Sequence, residues 1–246
     1  MVPSLGEAHH LRTVGLAEAR HHPTNRDLSA WDWPNEFRHK VEPMISETLY
    51  RMSYDTYERI VELGGLGPRD PVVLVDGLLV YRRAKTPRYT TSVMRGSRQL
   101  ELTIPSGWHV RMQSPLPLRG CPNGDSAPEP PLMVVFGDLL RYEDRHPEGS
   151  EIGMVIDIAT DSDALRIDRL GLSRYAHAGI PIACIVNIPD RSLEVYTEPS
   201  GPSADPGYGK FETLRPGQTL AGEIGNATTG PAVLAPIPVE AFFAPN

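Results

Sequence analysis

The sequence predicts an α/β fold built on a mixed central sheet flanked by helices, and three observations lead there. Short apolar runs recur from Val72 to Val195, each too brief for a globular helix and suited to buried strands. Two of these runs, residues 152–159 and 182–188, bracket a segment of helical periodicity at 162–178. That order is a strand–helix–strand crossover, which places its two strands parallel. Hairpin signals on either side, Asp76-Gly77 and Pro189-Asp190-Arg191-Ser192, predict antiparallel pairs besides the parallel one.

The elements follow in order. Residues 1–43 hold Pro3, Pro23, Pro34 and Pro43 without a sustained period, and are expected to form a loosely ordered extension to a domain spanning 44–246. The extension carries two His pairs, His9-His10 and His21-His22, that lack a Cys or carboxylate at ligand spacing. Trp31 and Trp33 alternate, which would let both rings pin it to the domain. Ser53 is a good N-cap for a helix over 54–63, ended by Gly64-Gly65. Residues 72–75 and 78–81 read as a hairpin around Asp76-Gly77. Thr90, Thr91 and Gly96 weaken a helix over 88–102 that Val93, Met94 and Leu100 otherwise support. Alternation over 108–113 predicts a half-buried strand with Trp108, Val110 and Met112 inward. A Pro/Gly-rich loop over 115–131 leads to a strand at 132–136. After the crossover come a hairpin strand at 193–196, an edge strand at 210–214 and a short C-terminal helix near 239–243.

Composition narrows the function. No apolar stretch approaches the ~18 residues a membrane span needs, and a charged, His-rich start does not suit a signal peptide, so a cytoplasmic protein without membrane partners is expected. Cys121 and Cys184 stand far apart and are expected as free thiols. A net charge of −7 opposes non-specific attachment to nucleic acid. Residues 82–119 run against that average, with eight basic side chains and one acid. Such a run is either a solvated face or a surface for phosphates or an acidic partner, with Arg88, Arg95, Arg98 and Arg111 as candidate nucleic-acid contacts.

One residue stands out chemically. Asp157 interrupts the apolar run Met154-Val155-Ile156-Asp157-Ile158, where a charge is costly unless it faces a polar cavity, pairs, or holds a metal. Around it lie Val75-Asp76-Gly77, Ser126-Ala127-Pro128-Glu129-Pro130 leading into Leu132-Met133-Val134-Val135, His146-Pro147, Asp161-Ser162, Asp168-Arg169, Tyr175-Ala176-His177-Ala178-Gly179-Ile180-Pro181 and Leu193-Glu194-Val195-Tyr196. In order and spacing these marks, over about residues 46–243, resemble the restriction endonuclease family of the PD-(D/E)XK superfamily, a large bacterial group first catalogued as a domain of unknown function.

The resemblance implies a restriction-endonuclease-like core in which two acids hold Mg²⁺ and a lysine orients the attacking water. Carried over position by position, the first acid falls on Pro131, which offers no ligand, and the second on Asp157. The lysine, expected one turn before Tyr175, falls on Gly171, and a histidine frequent in the family falls near Tyr89. Glu129, two residues before Pro131, is a candidate replacement acid, with Asp125 further upstream. Arg169 or Arg174 could supply the lysine's charge, though not its chemistry. The leading expectation is a member of the nuclease fold that does not cut, keeping a role in binding DNA or a protein partner. Two alternatives remain: an Mg²⁺-dependent DNA endonuclease using Asp157 and Glu129, with Asp157 as metal ligand, and a structural or regulatory protein without nucleic-acid contact.

Overall fold

The computed structural model describes residues 49–67 and 69–245. The expected extension over 1–43, with its His pairs, Trp31 and Trp33, lies outside the described residues. Within the unit Tyr50–Asn246, helix α1 (Tyr54–Glu62) begins where Ser53 Oγ accepts the Thr56 N–H at 3.2 Å. Strands β1 (Val72–Val75) and β2 (Leu78–Tyr81) form the expected hairpin, with Val75 opposite Leu78, as a two-stranded sheet separate from the central one. Its turn needs positive φ at both centres, and Asp76 and Gly77 supply it at 50° and 75°.

Helix α2 (Pro87–Glu101) settles the ambiguous segment. Pro87 pre-sets the first turn, and Thr86 caps it by accepting from the Tyr89 N–H. Gly96, which weakens the sequence signal, lets α2 pack closely on its neighbours. A Cβ there would lie 2.8 Å from Leu132 Cδ1 and 2.9 Å from Phe242 Cδ1. Strand β3 (Trp108–Arg111) is shorter than expected. The chain turns at Gln113, with φ 49°, leaving Met112 exposed instead of inward.

Strands β4 (Leu132–Phe136), β5 (Ile152–Ala159), β6 (Ile182–Asn187), β7 (Ser192–Pro199) and β8 (Tyr208–Leu214) complete a six-stranded sheet in the order β3-β4-β5-β6-β7-β8. All neighbours are antiparallel except β5 and β6, which helix α3 (Ser162–His177) joins as the predicted crossover. Asp161 caps α3 by accepting from the Ala164 N–H at 2.8 Å, and Gly179, at φ 71°, follows its C-terminus.

The sheet is covered on both faces, which is why β4, β5 and β6 read as continuous apolar runs. On one face Ile156, Ile158 and Leu132 pack with Val93 and Leu100 of α2. On the other, Val155, Met133 and Ile185 pack with Leu172 and Tyr175 of α3. The first face also receives a hairpin that the sequence reading missed, β9 (Thr219–Glu223) and β10 (Val233–Pro238), followed by the 3-10 turn Val239–Phe242 in place of the expected short helix. Pro236 sits within the register shift between Leu234 and Ile237, where a strand tolerates a residue without an N–H. Both cysteines are free and buried. Among the described residues no helix is long and apolar enough to cross a membrane.

Candidate active site

Strand alternation places Asp157. Ile156 and Ile158 point toward α2, so Asp157 between them points toward α3, on the side of Val155 and Ala159. Pairing of Leu132 with Ile156 fixes its neighbour: one residue further along the same register, Pro131 lies opposite Asp157. Helix α3 buries the stripe Ala164, Asp168, Leu172 and Tyr175 against this face, so a second carboxylate and a hydroxyl descend toward the first. Arg83, just past the end of β2, meets Asp168 with both terminal nitrogens: Nη2 donates to Oδ1 and Nη1 to Oδ2, the latter at 3.3 Å. These groups line a cavity of about 460 Å³ that also takes in Lys85, Tyr89, Glu129 and Arg174.

Burial dominates the electrostatics. Asp157 is only 8% exposed, and removal of its carboxyl from water raises the pKa well above the usual carboxylate range. The Asp168 charge pushes it further up, while Arg83 and the neighbouring Tyr175 hydroxyl oppose the rise. Asp168 is also raised by burial, against the pull of Arg83. Burial and then the Asp157 charge push the Tyr89 hydroxyl up to about 12, and burial pushes that of Tyr175 well above its ordinary value. At neutral pH the floor of the cavity therefore holds neutral hydroxyls, a carboxyl that favours its proton, and one Arg–Asp ion pair.

Glu129 lines the same cavity as Asp157, but its Oε1 accepts from Arg82 Nη2 at 2.7 Å. Asp125 is drawn elsewhere, accepting from the Tyr54 and Gly120 N–H groups at 2.9 and 2.8 Å. Gly171 faces the cavity, and a Cβ there would lie 3.3 Å from Arg174 Nη1, so Arg174 crosses the space of the expected lysine. Arg174 is committed to the β1–β2 turn through two 2.8 Å bonds to Asp76, whereas Arg169 pairs with Glu194.

The four candidate nucleic-acid contacts divide. Arg88, Arg95 and Arg98 lie on α2 away from its buried residues Val93, Gly96 and Leu100. Arg111 extends from β3 to the opposite side of the sheet, its guanidinium carbon 5.5 Å from the Tyr142 ring centre. The site residues that sequence reasoning missed are Arg83, Lys85 and Asp168. Asp168 was detectable as a carboxylate on the apolar stripe of a helix. Arg83 and Lys85 carried no such signal, because the register of β2 against the rest of the domain decides where they reach.

Metal-dependent cleavage is usual for restriction-endonuclease-like families, so the donor set can be tested for a divalent cation. Mg²⁺ requires hard oxygen ligands in near-octahedral geometry. Here Asp168 has both oxygens engaged by Arg83, Glu129 is engaged by Arg82, and Pro131 contributes no donor. No cluster of three or more His, Cys, Asp or Glu side chains suited to a metal occurs among the described residues. The residues around Asp157 thus do not fit such an ion in this arrangement.

Comparison with known proteins agrees with this architecture. The solved structure of "a putative nuclease belonging to DUF820" from Anabaena variabilis ATCC 29413 is similar at TM-score 0.52 and 10% identity, over 75% of this chain and 96% of that one. At that identity the likeness concerns the fold. No curated protein matches. A family model, Uma2, described as "Putative restriction endonuclease", matches residues 87–227, which include Pro131, Asp157, Asp168 and Tyr175 but not Arg83 or Lys85. The match spans more than half of the chain, and the chain belongs to this restriction endonuclease family.

Proposed function

We propose that this chain is a member of the nuclease fold that does not cleave phosphodiesters and that binds nucleic acid through α2. The observation that carries the first half is the capture of Asp168 by Arg83 beside a buried Asp157 that faces Pro131. Cleavage in such folds depends on a cation held between carboxylates, which activates water and neutralises charge on the phosphate. A guanidinium neutralises charge but stays protonated, so it cannot take the proton from a water. The second half rests on Arg88, Arg95 and Arg98. Among the described residues none of the three has a carboxylate partner. In a chain of net charge −7 this makes α2 a local positive face.

A plasmid-nicking assay with Mg²⁺ or Mn²⁺ tests the first half. No cleavage is expected, and nicking that disappears in Asp157→Ala would overturn it. For the second half, the R95A/R98A double variant should bind duplex DNA more weakly at low salt. The slope of log affinity against log salt should shrink by about 1.8, from ~0.9 per lost phosphate contact. Equal binding by the two proteins, or none by either, would move the interaction to another surface or to a protein partner.

A further inference from the structure

We infer that strand β8 is a self-association surface, to which a second copy of this chain adds its own β8 in antiparallel register about Phe211. The inference stands apart from whether the chain cuts nucleic acid. β8 ends the six-stranded sheet, and no other described strand pairs with its outer side. Alternation tells which of its backbone groups are free. Ser200 N–H donates to the Gly207 carbonyl at 2.9 Å, and Pro199, which has no N–H to give, stands opposite Tyr208. In an antiparallel ladder only every second residue bonds to a given neighbour. Gly207, Gly209, Phe211 and Thr213 therefore bond toward β7, and Tyr208, Lys210 and Glu212 turn their N–H and C=O groups to the open edge. The side chains of Lys210, Phe211, Glu212 and Thr213 are all exposed.

Monomeric proteins guard such an edge with a proline, a bulge, a short strand or unmatched charge. β8 is seven residues long, contains no Pro, and shows no register shift against β7. Its charges are matched, and in one register only. With two copies antiparallel and Phe211 opposite its symmetry mate, both strands overlap over their full length, and Lys210 stands opposite the partner's Glu212. The outward groups of these two residues then meet in a bonded pair, as the ladder requires. A slide of two residues, the smallest that keeps outward groups together, opposes Lys210 to the partner's Lys210 or Glu212 to the partner's Glu212. Glu212 has no cationic partner among the described residues, whereas Lys210 meets Glu198. Phe211, 58% exposed and packed against Tyr196 with ring centres 4.9 Å apart, would be covered at the two-fold axis. A second copy thus supplies the backbone partners, the countercharge and the apolar cover that this edge lacks.

Sedimentation equilibrium of the full chain tests this, with a dimer expected at micromolar concentration. Glu212→Lys and Lys210→Glu each oppose like charges in both symmetry-related pairs, and each should weaken self-association by about tenfold or more. Mixed in equal amounts, the two variants should regain most of the parent's affinity as a heterodimer, because every Lys then stands opposite a Glu. That recovery also shows that both variants are folded. Hydrogen exchange gives a second readout. The Lys210 and Glu212 amides should exchange slowly in the parent dimer and fast in either variant alone, while the Phe211 amide, bonded toward β7, stays slow in all. A chain that remains monomeric, a dimer unmoved by either substitution, or weakened dimers that mixing does not restore would overturn the inference. Slow Lys210 and Glu212 amides in a monomer would overturn it as well, by placing another segment of the chain on the edge.

Discussion

Replacing Asp157 by Asn should stabilise the protein, and by an amount that grows with pH. Asn keeps the shape of the side chain and cannot ionise, so the substitution isolates the charge. The Asp157 carboxyl is raised in the folded chain by burial and by Asp168, to about 8, from an ordinary value near 3.8. In the window between these values the native state keeps a proton that the unfolded chain releases. Stability must therefore fall as pH rises from about 4 to about 8. The variant lacks that loss. Each pKa unit of elevation corresponds to ~1.4 kcal/mol, and ~1 kcal/mol shifts the Tm of a domain of this size by ~2–4 °C. Even one unit of that elevation gives a gain of ~3–5 °C at pH 8, shrinking toward zero near pH 4. Thermal denaturation of both proteins at unit pH intervals from 4 to 8 measures it. A variant less stable than the parent at pH 8, or a difference flat with pH, would refute the reasoning, because Asp157 would then be ionised and held by Arg83 instead of burdened by its surroundings.

Glu151 gives the opposite pH dependence. Arg145, which holds both its oxygens at 2.7 Å, together with the Glu148 N–H and Arg141, lowers its pKa to about 2. Its stabilising contribution is complete above the ordinary carboxylate range and fades as pH falls toward 2, so Glu151→Gln should lower Tm at pH 7 and converge with the parent near pH 2. Phe242 is fully buried in the core on the α2 face, beside the Gly96 close approach. Phe242→Ala should cost ~3–5 kcal/mol, measured by urea denaturation, and a cost under ~1 kcal/mol would mean the C-terminal turn does not belong to the cooperative core.

Most elements were legible in the sequence because their signals are local. The Asp76-Gly77 turn specifies its own backbone angles, and the apolar runs of β4, β5 and β6 record burial on two faces. The β9–β10 hairpin was not legible, since Gly222, Pro236 and Pro238 dilute its strand character and its pairing is broken by a register shift. The C-terminal segment Val239-Glu240-Ala241-Phe242-Phe243 was expected to pack back as a short helix, yet one 3-10 turn suffices to bury Val239, Phe242 and Phe243.

The sequence by itself determined the α/β class, the crossover, the family resemblance and Asp157 as the chemical anomaly. It also raised the expectation that Pro131 and Gly171 stand where the family's chemistry calls for an acid and a lysine, since linear spacing is what such a resemblance compares. Only the tertiary structure decided which charges meet. Arg83 and Asp168 are 85 residues apart in sequence, and Arg174 and Asp76 are 98 apart. Their pairing depends on how the β1–β2 hairpin seats against α3. Likewise the basic run at 82–119 is one patch in sequence and several in space, because α2 and Arg111 occupy opposite faces of one sheet. An ion pair acts over a few ångströms of space, whatever the length of chain between its partners, and that is why the fate of the site could be posed from the sequence but its charges assigned only from the fold.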